Sequence, residues 1–102
     1  MKLLYFYVPE THLEQVKTAL FSIGVGKFNN YDSCAFQYKG QGQFRPLEDS
    51  KPFIGDIGQI EQVIEYKLEM ICDDSLVYKA RDVLKKAHPY EEVAYGFLDV
   101  FT

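Results

Sequence analysis

The chain contains no apolar run approaching the roughly 18 residues that a membrane-spanning helix needs, so a helical membrane protein is not expected. Positive charge is in short supply: 11 Lys and Arg against 15 Asp and Glu leave a net charge of −4. Non-specific binding to nucleic acid or to an anionic membrane needs a basic field, and neither is expected here. Cysteine is scarce too, with only Cys34 and Cys72. Both fall in runs read as strands, where a free cysteine behaves as a small buried hydrophobe. The opening Met1–Pro9 carries one charge and no small-residue cleavage site, so it reads as a first strand rather than a secretion signal. A disulfide is then not expected, and the reading is cytoplasmic. Chemical machinery is also missing. There is no phosphate loop ending in Gly-Lys-Ser/Thr, no serine elbow, and no histidine at a suggestive spacing from either cysteine. The expectation is a protein that is not an enzyme.

Aromatic rings are what the chain has in excess. Eight Tyr and eight Phe, with no Trp, make up 16% of 102 residues. A chain of this size has room for one domain, spanning 1–102, and one thin core. Some rings must therefore sit at a subunit interface or in a ligand pocket, where Tyr is favoured for its apolar body and polar tip.

The hydrophobic pattern predicts six elements. Lys2 to Val8 is apolar on both alternating faces, as in a central strand, and Pro9 ends it. Thr11 and Glu14 have the spacing of a capping box, and Leu13, Val16, Leu20 and Ile23 recur at helical spacing until Gly24 or Gly26. Period-two alternation predicts a second strand over Tyr31 to Tyr38 and a third from Ile60 to Cys72, about twelve residues and long enough to protrude. On the third, Glu61, Glu65 and Glu69 read as a solvated face, or as a source of one carboxylate for a site. Asp73, Asp74 and Ser75 can cap a second helix with the buried stripe Leu76, Ala80, Val83, Leu84 and Ala87; Pro89 stops it. A last strand is expected from Val93 to Phe101. The order β-α-β-β-α-β is the ferredoxin-like α+β sandwich, an antiparallel sheet with both helices on one face. Its other face would be a large apolar patch, and self-association would cover it.

Two segments could carry function. His88-Pro89-Tyr90-Glu91-Glu92 puts an imidazole, a phenol and two carboxylates within five residues. It reads either as a metal or polar-ligand site, with His88 and Glu91 as ligands, or as a plain helix terminus with solvated glutamates. Between Lys39 and Gly58 lies a stretch rich in Gly and Pro, longer than most loops in compact domains. Within it Gly40, Gly42, Phe44 and Arg45 could present backbone amides and a guanidinium to an anion. Alternatively, Phe44 and Phe53 pin a hairpin to a neighbouring subunit.

The motifs Gly40-x-Gly42-x-Phe44-Arg45-Pro46, Pro52-Phe53-Ile54-Gly55 and His88-Pro89-Tyr90-Glu91-Glu92-Val93-Ala94-Tyr95 resemble the inserted domain of YqfO-like proteins (the NGG-one-interacting-factor-three-like family). The His-Pro-Tyr-Glu segment is also similar to that of CutA, whose fold is like that of the PII signalling proteins. The resemblance implies a homotrimer that binds a small ligand or a divalent metal at its subunit clefts. Gly40, Gly42, Phe44, Arg45 and Tyr90 would serve the ligand. The longer relatives carry a two-metal domain to which this segment does not correspond, and the proline after the CutA segment is replaced here by Glu92-Val93, a departure that speaks against copper binding. A pure assembly module, with both motifs at the interface and no ligand, is the alternative.

Overall fold

Alternation along β1 (Lys2–Pro9) sends Leu4, Phe6 and Val8 to one side, where all three are fully buried. The computed structural model describes residues 1–102. After β1 the chain turns through a short 3-10 segment, Glu10–His12, into α1 (Leu13–Ser22). The expected capping box does not form: the Thr11 hydroxyl pairs with His12 Nδ1 at 2.8 Å, and no side chain caps α1. The 3-10 turn takes over that role, because the Leu13 N–H already donates to the Glu10 carbonyl. Leu13, Val16 and Leu20 face inward as predicted. Gly24 and Gly26 end the helix with φ of 100° and 81°. A β-carbon at Gly26 would strike the Cys34 backbone, so the close approach there requires glycine.

The second strand differs from expectation. β2 runs Phe36–Phe44, not Tyr31–Tyr38. Phe28 and Tyr31 bond to each other, and Ser33 takes a φ of 55°, so the chain reaches the sheet edge only at Phe36. Cys34 consequently lies outside the strand, while Gly40 and Gly42 lie within it. β3 (Glu61–Cys72) pairs with β2 from Phe36↔Glu69 to Phe44↔Glu61. Asp73 Oδ1 accepts the Ser75 N–H at 2.9 Å and starts a 3-10 turn that leads into α2 (Val77–Ala87). β4 covers Tyr95–Asp99, shorter at both ends than predicted.

The sheet order is β2-β3-β1-β4, and every pair is antiparallel. Leu13, Val16, Leu20, Ala80 and Leu84 from the helices join Leu4, Phe6, Val8, Leu68, Met70 and Cys72 from the strands in one core, so both helices cover the same face. This is the ferredoxin-like α+β sandwich that the pattern predicted. β1 pairs with β3 only as far as Pro9↔Glu65. Beyond that point β2 and β3 run on together as an arm, giving a molecule of 46 × 24 × 23 Å. Both cysteines are free thiols.

The second face of the sheet has no helix over it. The register sets Leu3, Ile71 and Leu98 side by side across three strands. Next to them Lys67 Nζ lies 5.4, 5.8 and 5.9 Å from the ring centres of Tyr5, Tyr7 and Tyr38. It also pairs with Glu69 at 3.7 Å. Phe36 and Leu98 remain 65% and 53% exposed, which makes this an apolar surface of the kind that usually meets a partner. No helix is long and apolar enough to cross a membrane.

Candidate functional site

His88 follows the last residue of α2 and turns the chain away from helical geometry, with ψ at 140°. Pro89 explains the turn, since the residue before a proline is driven to extended backbone. The imidazole is thereby folded under the chain and buried. Its Nδ1 accepts the Tyr90 N–H at 3.1 Å, so the proton must sit on Nε2, which donates to the Tyr7 carbonyl at 2.7 Å. Burial pulls the His88 pKa below its ordinary value, against the opposing pull of the Tyr7 carbonyl. His88 is thus a neutral latch joining the end of α2 to β1.

The latch places Tyr90. Its ring meets His88 edge-on at 4.8 Å and stands beside Phe44 at 6.1 Å and Phe53 at 6.3 Å. Glu91, the next residue, reaches back to the long loop and accepts the Lys51 N–H with both carboxylate oxygens, at 3.1 and 3.2 Å. A second bond, Gly58 N–H to the Pro46 carbonyl at 2.7 Å, closes the base of that loop. Segments forty residues apart therefore meet along one cleft of about 560 Å³, on the open-face side where the arm leaves the sheet.

Of the residues singled out from the sequence, Gly42, Phe44, Arg45, Tyr90 and Glu91 line this cleft together. Gly40 does not; it sits in β2 opposite Glu65 with open space around it. His88 lies behind the Tyr90 ring rather than in the cleft. As a metal pair, His88 and Glu91 do not fit. Both imidazole nitrogens are engaged, Glu91 is held by Lys51, and no three His, Cys, Asp or Glu side chains gather closely enough to hold an ion.

Of the glutamate row read either as a solvated face or as the source of one carboxylate for a site, Glu65 lines the cleft, and its carboxylate lies across Gly42 of the neighbouring strand. Which of the three glutamates this would be follows only from the strand register. Burial pushes the Glu65 carboxyl above its ordinary range, with Tyr90 pulling the other way. The Tyr90 hydroxyl is itself buried with no hydrogen-bond partner. Glu65 is the group that acts on it, though no bond between them meets strict hydrogen-bond geometry; burial first, then the charge and the hydrogen-bonding pull of that carboxylate, drives the phenol far above its usual range.

The fold defines the class. A CutA structure from Pyrococcus horikoshii superposes with a TM-score of 0.72 at 20% identity, covering 98% of this chain and 84% of that one. The PII-like CutA of Nostoc gives 0.71 at 18%, covering 98% and 81%. In sequence the chain is a homologue of part of the NIF3-related, YqfO-like proteins. It is 43% identical over 100 residues to the GTP cyclohydrolase 1 type 2 homolog of Bacillus subtilis, covering 98% of this chain and 27% of that one. The protein of the same name from Halalkalibacterium halodurans is 45% identical over 92 residues, covering 90% and 25%. A crystal structure of a Bacillus cereus protein related to NIF3 superposes with a TM-score of 0.85 at 39% identity, covering 99% and 26%. The chain thus spans about a quarter of the length of the curated relatives it matches. No protein-family model matches it.

Proposed function

We propose that this chain acts as a non-catalytic, cytoplasmic binding module, a homotrimer whose clefts each take a small ligand. One observation carries the reading. Two motifs far apart in sequence are folded onto the same cleft, and backbone bonds from Lys51 and Gly58 hold its walls together. A largely preformed concave site with aromatic walls and a few polar groups is what a small-molecule site looks like. The trimer rests on the open aromatic face and on the CutA-like fold. The cytoplasmic placement rests on two free thiols, as a reducing compartment allows.

The name of the curated relatives suggests nucleotide chemistry, and one neighbour of this fold is called a periplasmic divalent cation tolerance protein. The metal description does not account for the cleft. The one imidazole behind it is used up by backbone bonds, and its donor set does not fit a metal ion.

A second reading, an assembly module with no ligand, is favoured by the Tyr5, Tyr7, Tyr38 and Lys67 cluster on the uncovered face. Native mass spectrometry of gently purified protein separates the two. A trimer carrying a reproducible small added mass, lost in Phe44→Ala, supports the ligand module. A bare trimer, unshifted by a small-molecule cell extract, transfers the weight to assembly. A monomer refutes both.

A further inference from the structure

We infer that the ligand of this cleft is an organic ammonium ion, held against aromatic ring faces and the Glu65 carboxylate. The inference builds on the cleft being a ligand site and adds the chemical class. Its first support is the shape of the aromatic walls. Tyr90 stands between Phe44 and Phe53, with ring planes inclined by 55° and 46° rather than stacked. Tyr7 lines the same space, with Lys67 Nζ already 5.8 Å from its ring centre. Four aromatic side chains thus line one cleft, and the face of each ring carries the negative end of its quadrupole. Alkylated ammonium ions are recognised by ring faces at about 6 Å from the ring centres.

The second support is the charge inventory. Glu65, Glu91 and Glu92 line the cleft against a single cation, Arg45. Glu91 is occupied by the Lys51 amide. Glu65 is different: it is partly buried beside a phenol hydroxyl that has no partner. The Tyr90 hydroxyl can offer Glu65 only one proton, so this partly buried carboxylate keeps its charge uncompensated and further lone pairs free. An ammonium ion supplies the positive charge that the phenol cannot. Gly42 keeps the position open, because any β-carbon there would displace the carboxylate.

The other ligand classes fit less well. A hard metal ion needs several convergent oxygens, and no such group gathers here. An anion would face ring quadrupoles and carboxylates, with only the exposed Arg45 in its favour. A neutral apolar molecule would leave Glu65 and the Tyr90 hydroxyl unsatisfied, which costs free energy.

The test compares choline with its neutral carbon isostere, 3,3-dimethylbutan-1-ol, and with inorganic pyrophosphate, each titrated into the full chain. Ring resonances of Tyr90, Phe44 and Phe53 report binding. Choline should bind at least about tenfold more tightly than the alcohol, the size expected when a desolvated cation–π site loses its charge. Glu65→Gln and Phe53→Leu should each weaken choline severalfold while thermal melts show the fold intact. Arg45→Gln should strengthen it by removing the competing charge. Equal binding of choline and the alcohol overturns the ammonium inference but leaves the cleft as a ligand site. Pyrophosphate binding that is lost in Arg45→Gln also overturns it, in favour of an anion. No ring shift with any of the three at millimolar concentration overturns it as well, and the mass spectrum then decides the cleft reading independently.

Discussion

The carboxylate of Glu65 lies over the α-carbon of Gly42 on the neighbouring strand, in the space a β-carbon there would occupy. The contact is made by the far end of a flexible side chain, so the strand itself can tolerate a methyl group. Gly42→Ala should therefore keep stability within about 1 kcal/mol of the parent, since alanine also relieves the entropic cost of glycine in a strand. It should nonetheless expel Glu65 from the cleft and reproduce the binding loss of Glu65→Gln. Melting curves beside a choline titration check this; wild-type binding in Gly42→Ala would refute the placement of Glu65.

Tyr90→Phe deletes a buried hydroxyl that has no partner. Removing such a group relieves a desolvation cost, so the variant should be more stable by about 1 kcal/mol. Its ring remains to pack against His88, Phe44 and Phe53. Urea denaturation gives the sign, and a destabilised Tyr90→Phe would mean that the hydroxyl is bonded in solution.

His88 sets a pH dependence. Its folded pKa lies below the ordinary 6.5 because burial disfavours the charged ring. Between the folded and unfolded values the unfolded chain binds more protons, so stability rises with pH in that window and levels off above about 6.5. Acidification from neutral pH should lower the thermal midpoint of the wild type more steeply than that of His88→Gln. His12, which lies near enough to repel a charged His88, belongs to the same effect. Parallel midpoint curves for the two proteins would exclude His88 as the source.

The uncovered face can be tested by placing charge on it. Leu98→Glu and Ile71→Lys both lie on the Leu3 row, away from the helix-covered core. Either should convert the proposed trimer to monomer, as seen by sedimentation, while circular dichroism stays native, because an unpaired charge at the centre of an apolar interface is strongly unfavourable. An unchanged oligomer would place the subunit contact elsewhere.

Leu84 is fully buried where α2 meets the core. Leu84→Ala should cost about 2–5 kcal/mol in urea denaturation, through lost burial and the cavity left behind. A smaller loss would show that α2 packs more loosely than the core geometry implies.

Much of the fold was legible because burial writes itself into spacing. Leu4, Phe6 and Val8 alternate, Leu13, Val16 and Leu20 recur at helical intervals, and the inward faces of β3 and α2 follow the same rules. What failed was local. Thr11 has the spacing of a cap, but the chain spends the preceding residues on a 3-10 turn. Tyr31 to Tyr38 alternates, but a strand needs a partner, and the Phe28–Tyr31 bridge removes its first half from the sheet.

The sequence by itself determined the order of elements, the face each buries, and the two segments rich in Gly, Pro and aromatic residues that frame the site. Those follow from short-range periodicity and from the backbone demands of glycine and proline. Only the tertiary structure decided what the segments do together. The neutral His88 latch, the Glu91 clasp on Lys51 and the seat of Glu65 over Gly42 all join residues from different elements. Such contacts depend on strand register and on where a loop closes, and no spacing within a single segment encodes either.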